Sequence, residues 1–378
     1  MNRSSQHWIV TEVDILKFAV MLMCISGMMQ SSVLFASWSI VYDGLKYMIP
    51  VLGALIVILR IHSVTKLRYI MTTLGISILI VLTCILTKDY SYFVLCIILV
   101  LSKKMTINDF VRISFKVLLF FGGMQIGIWL LNCVVHLGYP VFYNQSERRI
   151  SFLFSHPNIA AIKLGWGIVM YTWLKWDQLN WKKWGGCAIA AVMLYSSTKA
   201  DSCMIILFYL IMVALSRFSI VQRLTIRFSK YCFLILGAFN ILMAQLYRDA
   251  GKVTSLIRSL DLFFSRRLAM AYLAINDNGL SIIGQTITKE HEWNELFNFG
   301  NYTIDSLYIY FYVCIGIVYF VLIAIGFWKL AKYKDYRAAL IVIMFSLYAM
   351  IEVHCLYLTN CFALLLLKYV IFNNKRIE

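Results

Sequence analysis

Long apolar runs separated by short polar connections are the dominant pattern along this chain. Each run approaches the roughly 20 residues that an α-helix needs to cross a bilayer, whereas barrel strands would alternate in polarity over about 10 residues. The pattern predicts an all-α, polytopic membrane protein with about twelve transmembrane helices in a single domain, 1–378. The predicted spans are Ile15 to Phe35, Tyr47 to Ile61, Tyr69 to Leu86, Tyr90 to Leu101, Ile113 to Val135, Ile159 to Leu174, Gly185 to Ser197, Ser202 to Leu215, Tyr231 to Tyr247, Leu307 to Trp328, Ala338 to Val353 and Leu356 to Phe372.

The composition excludes a water-soluble globular protein. Of the 378 residues, 61% are hydrophobic and only 14% are charged, and the mean hydropathy is +0.78. Soluble domains have an apolar share nearer one half. Most of the ten cysteines lie singly inside apolar runs, without a CxxC pair or a zinc-like spacing, so we predict neither disulfides nor a structural metal.

The basic residues set the predicted orientation. The formal net charge is +17, but Lys and Arg lie in short clusters between apolar runs, so no nucleic-acid partner is predicted. If the amino terminus is cytoplasmic, most of the 35 Lys and Arg residues fall in cytoplasmic connections, as the positive-inside rule requires. Both termini are then predicted to be cytoplasmic.

A minority of the basic residues is predicted to lie outside or within a span, against this bias. Most belong to three places, namely the segment around Arg149, the break around Lys199 and one large extracytoplasmic loop, 248–305. Positive charge kept there indicates a use on that side of the membrane. Within the loop, a helical stretch from Val253 to Ala274 is predicted to precede a turn-rich part.

The segment Arg148 to Ala161 concentrates candidate functional residues. Arg148, Arg149, His156 and Asn158 lie immediately before or at the start of an apolar run. One interpretation is structural, with the arginines reaching lipid phosphates and His156 capping the helix. The other is that they bind an anionic group at the membrane surface.

Further candidates lie in or beside the predicted spans. Lys163 lies within a span and Lys199 between two short runs, and each is either functional or a lysine that reaches the membrane surface. Arg266 and Arg267 follow an amphipathic stretch and are alternatively part of a solvated helix face. The acid and base candidates on the predicted outer side are His156, Asp201, Asp249, Asp261, Glu290, His291, Glu292, Asp305 and Glu352.

A basic cluster beside lipid suits a membrane-embedded anion, and a lipid diphosphate is the obvious ligand. Guanidinium groups match phosphate oxygens with paired hydrogen bonds. If the diphosphate is also a leaving group, the same cations stabilise its developing charge, and no metal is required. The predicted outer segments contain neither a DxD cluster nor a His/carboxylate cage, which is consistent with this interpretation.

Three short motifs resemble a known family. One is an arginine followed by a phenylalanine-rich segment and His-Pro-Asn, formed by Arg149, Phe152, Phe154, His156, Pro157 and Asn158. The second is a polar break between two short spans, Ser197-Thr198-Lys199. The third is a long outer loop from Arg266 or Arg267 through Ile283-Gly284-Gln285 to Asp305-Ser306-Leu307-Tyr308. In order and topology these motifs resemble the Wzy-type bacterial polysaccharide polymerases of O-antigen and capsule synthesis and the related O-antigen ligases.

The resemblance implies a metal-independent glycosyltransferase without cofactors, located in the bacterial cytoplasmic membrane. A glycan chain would pass from undecaprenyl diphosphate to a hydroxyl of a second lipid-linked repeat unit at the outer face. Membrane lipid, and a flippase and a chain-length regulator of the same pathway, are the implied partners.

The resemblance also assigns expected roles to residues. Arg149, Arg266 or Arg267, together with Lys199, would bind and neutralise the diphosphate. His291, His156 or Asp305 would take the proton of the attacking hydroxyl. The other expected substrate-binding residues are Arg148, Asn158, Lys163 and Gln285.

Two other functions stay open at this point. A ligase would move a finished chain to a different acceptor with the same chemistry. A flippase for lipid-linked oligosaccharides would also need a cationic cavity near lipid. Such transporters are expected to have paired halves with broken helices in matching positions, and no internal repeat is evident in the sequence.

Overall fold

The structure is a computed structural model. It describes residues 11–61, 67–89, 97–143, 146–247, 257, 259, 261–262, 266–287, 290–294, 299–301, 303–372 and 377, with the backbone alone for 58–61, 67–70, 72–73, 290–294 and 299–301. Helices dominate this part of the chain, as the sequence predicts. A short antiparallel ribbon in the large loop, β1 (Glu290–Asn294) and β2 (Phe299–Asn301), adds to the expected all-α fold.

Most helices follow the predicted apolar runs, apart from the last spans described below and the predicted span Tyr90 to Leu101, most of which lies outside the described residues. They are α1 (Glu12–Gln30), α2 (Ser39–Ile61), α3 (Leu67–Thr87), α4 (Ile107–Val135), α5 (Pro157–Leu174), α6 (Trp181–Thr198), α7 (Ser202–Leu215), α8 (Ser219–Leu246), α9 (Arg267–Asn278), α10 (Leu307–Tyr310), α11 (Ile317–Leu330), α12 (Tyr336–Ile351) and α13 (Lys368–Ile371).

Polar residues placed just before the apolar runs determine where several helices begin. The side chains of Thr11, Thr106, Asn180 and Asp335 each accept a hydrogen bond from an amide in the first turn of the helix that follows. The first amides of a helix have no partner within it, so such caps stabilise these starts. Local sequence therefore sets the helix boundaries, while the apolar runs set the helix length.

Three described helices are long and apolar enough to cross a membrane, namely Ser39–Val57 within α2, α4 and α8. Shorter apolar helices, among them α7 and α12, accompany them. Large apolar side chains such as Phe120, Leu131 and Ile189 are more than half exposed. An apolar outer surface of this kind is typical of a protein surrounded by lipid, and it supports the predicted membrane character.

The helices run between two ends of a bundle. At one end, the Lys17 ammonium lies 3.6 Å from the Asp109 carboxylate, and the Lys368 ammonium donates a hydrogen bond of 3.4 Å to the Ser102 carbonyl. We call this the terminal end, because the first helix, α1, begins there and the last described helix, α13, lies there. These contacts join the start of α1 to the start of α4, and α13 to the turn before α4.

The opposite end, which we call the site end, carries the carboxyl ends of α1, α6 and α12 and the amino ends of α5 and α7. The Ser155 amide donates to the Ser31 carbonyl at 2.9 Å, and the Ile150 amide donates to the Ser197 carbonyl at 2.8 Å. The segment between α4 and α5 is therefore bonded to both α1 and α6. It closes this end of the bundle over the helix termini.

The predicted continuous span from Leu307 to Trp328 is broken in the structure. After α10 the helix widens into a π-helical turn, Phe311–Ile315, and it ends at Gly316 before α11 resumes. Gly316 has φ +117°, a backbone conformation that a residue with a Cβ rarely adopts. This break was not predicted, because the apolar run continues through it without proline or charge.

Residues 281–285 of the large loop fill the break. The Ser281 amide donates to the Tyr312 carbonyl at 2.8 Å, and the Ile317 amide donates to the Ser281 carbonyl at 3.0 Å. The Thr83 hydroxyl of α3 donates to the Ile283 carbonyl at 2.8 Å. Irregular backbone inside a bundle of this kind needs internal partners, and the loop supplies them. Part of the loop expected outside the membrane thus packs between helices.

The last two predicted spans also differ from the structure. Helix α12 ends at Ile351, so Glu352 and Val353 lie beyond the helix predicted to contain them. The predicted span Leu356 to Phe372 is not one continuous helix, because it consists of irregular backbone, a 3-10 segment, Ala363–Leu367, and α13. Apolar composition alone does not distinguish a helix from buried irregular backbone.

We expect Gly316→Ala to destabilise the protein by about 2 kcal/mol or more, because the new Cβ would require a strained φ and would meet the backbone of the loop, 2.7 Å from the Ile283 carbonyl carbon. Thermal unfolding of the purified protein in detergent measures this. Gly123→Ala in α4 is the matched control, because a Cβ there meets open space. Equal melting temperatures for the two variants would contradict the role given to the break.

Candidate functional site

Arg149 holds the segment between α4 and α5 to the end of α6. Its Nε donates to the Thr198 carbonyl at 2.9 Å, and its Nη2 donates to the Asn158 Oδ1 at 2.8 Å. Glu147 contributes a weak ion pair at 3.9 Å. The guanidinium side chain is only 20% exposed, so its main described partners are protein groups. Two predicted site residues, Arg149 and Asn158, are thus brought together.

His156 is the cap of α5, as the structural interpretation of the sequence requires. Its Nδ1 accepts a hydrogen bond of 3.1 Å from the Asn158 amide, and its ring meets the Tyr143 ring edge to face at 4.8 Å between centroids. Burial, and next the Arg149 charge, lower the pKa of His156 below its ordinary value. A neutral imidazole whose Nδ1 accepts a hydrogen bond carries its proton on Nε2. His156 is therefore suited to donate a hydrogen bond rather than to accept a proton.

Arg267, rather than Arg266, is the loop arginine that reaches the centre of the site end. Its Nη1 donates to the Asp201 carboxylate at 2.9 Å, and its Nε donates to the Asp305 carboxylate at 3.3 Å. The Arg267 side chain is 12% exposed, whereas Arg266 is exposed and has φ +63°. That left-handed residue interrupts the predicted helical stretch Val253 to Ala274, and α9 starts only at Arg267; most of the predicted stretch before Arg266 lies outside the described residues.

Two elements place the carboxylates around Arg267. Asp201 lies in the turn between α6 and α7, and Asp305 precedes Ser306, whose hydroxyl caps α10. The Ser306 hydroxyl also donates to the Ala349 carbonyl at 3.2 Å, which fixes the start of α10 against the end of α12. The ion pairs of Arg267 therefore join the loop, the α6–α7 turn and α10.

Glu352, one of the acid and base candidates in the sequence, lies close to this group of charges. It follows α12, and only 6% of the residue is exposed. Burial, and next the charge of Asp305, raise the pKa of Glu352 to about 8, while Arg267 opposes the shift. The side chain is therefore mostly a neutral acid at pH 7. The sequence signal for a functional Glu352 was an acid at the end of a predicted span. The residues near it, Asp305 and Arg267, are distant in sequence and are known only from the structure.

Other predicted site residues lie at the rim or deeper in the bundle. Arg148 is exposed with φ +50°, and Lys199, also with positive φ, ends α6 and donates its ammonium hydrogen bond to the Glu147 carbonyl. Lys163 lies inside α5, is 4% exposed and points its ammonium at the Gly27 carbonyl, 3.4 Å away. Lys163 thus lies below the site end rather than on it.

Two predicted site residues lie elsewhere. The Gln285 amide nitrogen donates to the Asn278 carbonyl at 2.9 Å and to the Val313 carbonyl at 2.7 Å, so Gln285 ties the loop to the helix break. Its side chain has a structural role in these contacts. His291 lies in β1, for which only the backbone is described, so its expected role lies outside the described side chains.

The arrangement at the site end is chemically mixed. Within the described residues no group of three or more His, Cys, Asp or Glu side chains is arranged to hold a metal ion. Arg149 and Arg267 supply positive charge, Asp201 and Asp305 supply carboxylates, and Glu352 is a neutral acid. Such a group can position hydroxyls, exchange a proton and interact with an anion.

No protein-family model matches the chain, and no curated protein or solved structure is significantly similar to it.

We expect Arg149→Ala to lower the melting temperature, because it leaves the carbonyl of the fully buried Thr198 without its donor, at a cost of about 1–3 kcal/mol. Arg149→Lys should restore only part of this, since one ammonium cannot bond Thr198 and Asn158 in the same geometry. Arg148→Ala, which removes an exposed arginine next to it, is the control. A wild-type melting temperature for Arg149→Ala would contradict the anchoring role.

We expect the Glu352 carboxyl to lose its proton near pH 8. Infrared difference spectra of the purified protein between pH 7 and pH 9 should show loss of a carboxylic-acid C=O band, and Glu352→Gln should lack that change. Because the Arg267 charge lowers the pKa of Glu352, Arg267→Gln should move the midpoint to higher pH. A band that is already absent at pH 7 would show that Glu352 is ionised there.

Proposed function

We propose that this protein is a membrane glycosyltransferase that polymerises lipid-linked oligosaccharide repeat units. The donor is a glycan chain on undecaprenyl diphosphate, and the acceptor is a hydroxyl of a second lipid-linked unit. The observation that carries the proposal is the convergence of Arg267, Asp201, Asp305 and Glu352 beside the segment held by Arg149. The resemblance of the sequence motifs to Wzy-type polymerases and O-antigen ligases points to the same chemistry.

The proposed topology has about twelve spans, with the site end outside the cytoplasmic membrane and both termini inside. The directions of the helices support alternating spans, because α1 and α4 begin at the terminal end while α5 and α7 begin at the site end. Basic residues such as Lys103 and Lys104 lie at the terminal end, as the positive-inside rule requires of a cytoplasmic side.

The proposed reaction is a substitution at the anomeric carbon of the donor. The acceptor hydroxyl oxygen forms a bond to this carbon while the bond to the phosphate oxygen breaks, and undecaprenyl diphosphate leaves with the electron pair. The hydroxyl proton passes to a base. Cations near the leaving group are needed because negative charge develops on the diphosphate oxygens.

Asp305 is the proposed base. Its carboxylate lies at the start of α10, is 36% exposed and is oriented by Arg267 through one of its oxygens. His156 is the weaker candidate, because its proton lies on Nε2 and its Nδ1 is engaged by the Asn158 amide. We assign His156 to donate a hydrogen bond to the substrate. Arg267 positions both Asp201 and Asp305.

A ligase and a flippase are the alternatives. A ligase would use the same residues with a different acceptor, so the difference lies in the product. A flippase needs no base, and the oriented carboxylate Asp305 beside the neutral acid Glu352 favours proton transfer over transport alone. A transporter of this kind is expected to have broken helices in matching positions of two halves. Within the described residues, the break at Gly316 lies between α10 and α11 and is filled by the large loop.

Deleting the coding region in the source bacterium tests the proposed function. We expect the lipid-linked pool to accumulate single repeat units and the polymer ladder on a gel to disappear. Full-length chains that remain on lipid would instead support a ligase, and units confined to the inner leaflet would support a flippase. Either result would overturn the polymerase.

We expect Asp305→Asn to abolish the ladder in a complementation assay, by about 100-fold or more in polymerised product, because the base is lost. Asp277→Asn is the matched control, since Asp277 is an exposed acid at the end of α9 in the same loop. Membrane levels of both variants are compared by immunoblot. A wild-type ladder from Asp305→Asn would remove this residue from the proposed mechanism.

A further inference from the structure

A second cationic site lies below the site end, in a pocket of about 320 Å³ between α1, α2, α5 and the backbone that follows α12. Its polar lining includes Lys46, Lys163, His354 and Asn360, with Gln30 at the end of α1. The described residues that line it include no Asp or Glu. The volume is within the roughly 300–1,000 Å³ of small-molecule sites. The described part of its wall therefore brings two ammonium groups into the pocket without a carboxylate.

The two lysines reach the pocket from different helices at the same depth. Lys163 lies six residues after Pro157 at the start of α5, and Lys46 lies seven residues after Ser39 at the start of α2. At 1.5 Å per residue, Lys163 is about 9 Å and Lys46 about 10.5 Å below the site end. Lys163 is 4% exposed, and the hydrogen bond of its ammonium to Gly27 is long, at 3.4 Å. An ammonium carries three donors, so it can also bind an anion in the pocket.

The surroundings of Arg267 are less suited to an anion. Asp201 and Asp305 both accept hydrogen bonds from its guanidinium, so these three side chains together have a net charge of −1. Glu352 is neutral and does not change this sum. A diphosphate there would meet two carboxylates. By contrast, the lysine pocket, defined by Lys46, Lys163 and His354, offers cations and neutral amides.

His354 links the pocket to the proposed base. It lies in the 3-10 turn Val353–Leu356 and lines the pocket. Both Lys163 and Asp305 act on its charge, and the ring also interacts with the charge of His156. His354 therefore lies within electrostatic reach of both a lysine of the pocket and the proposed base.

We propose that the lysine pocket binds the diphosphate of the lipid-linked donor, and that Arg267 instead positions the carboxylates. The identity of the lipid rests on the proposed function. The shared chemistry is a phosphoryl anion, and a soluble pyrophosphate would satisfy the same groups. Leaving-group charge is then stabilised by Lys46 and Lys163, while the anomeric carbon faces Asp305.

The test is binding to the purified full-length protein in nanodiscs, with pyrophosphate, undecaprenyl diphosphate and undecaprenol as separate probes in calorimetry. We expect Lys163→Met and Lys46→Met each to weaken binding of the two diphosphates by about 10- to 100-fold, since each removes a charged hydrogen-bond donor. Binding of undecaprenol should not change. Lys88→Met, which removes an exposed lysine at the site end of α3, is the control and should bind as wild type.

Each outcome decides one part of the proposal. Wild-type diphosphate affinity in both Lys46→Met and Lys163→Met, or loss of it only in Arg267→Gln, would overturn the pocket assignment. If Lys163→Met does not fold, the Lys46→Met variant, at a half-buried position, still tests the pocket assignment. Binding of pyrophosphate without undecaprenyl diphosphate would overturn the lipid ligand. Lysine-dependent binding in a protein that makes no polymer would keep the pocket and reject the proposed polymerase.

Discussion

Polar groups at helix termini must find partners inside the protein wherever water is excluded, and the site end of this bundle is organised by that constraint. The end of α6 is satisfied by Arg149, which bonds the Thr198 carbonyl, and the start of α5 by His156, which accepts from the Asn158 amide. Each capping residue is thereby fixed in position. Charged side chains that would otherwise be costly near lipid become part of the scaffold.

The same constraint explains the irregular backbone. At Gly316 the chain leaves helical geometry, and the exposed carbonyls and amides are bonded by residues 281–285 of the large loop. The loop cannot be removed without leaving these groups unsatisfied, so it belongs to the core as well as to the surface. Helix α9 directly precedes residues 281–285, and α10 directly precedes the break. The contact between them therefore also holds α9 near α10, where Arg267 pairs with Asp305.

Hydropathy and capping residues predicted most of the helices, because both are local properties of the chain. The break at Gly316 and the irregular backbone after Ile351 were not predictable, since buried irregular backbone and helix have the same apolar composition here. For the site, the sequence singled out the segment of Arg149, and the structure brings Arg149 and Asn158 of that segment together. It could not choose between Arg266 and Arg267, because that choice depends on one left-handed residue.

Lys46 and Glu352 show a different limit of the sequence. Neither belongs to a recognisable motif, and the sequence does not show that Lys46 shares a pocket with Lys163 or that Glu352 lies within electrostatic reach of Asp305. The structure thereby separates two groups of charges that the sequence merged into one. Acids gather around Arg267, which favours proton transfer, and two lysines share a pocket whose described lining has no acid, which favours phosphate. The proposed substitution at an anomeric carbon needs both kinds of group, because one must accept a proton while the other stabilises a departing anion.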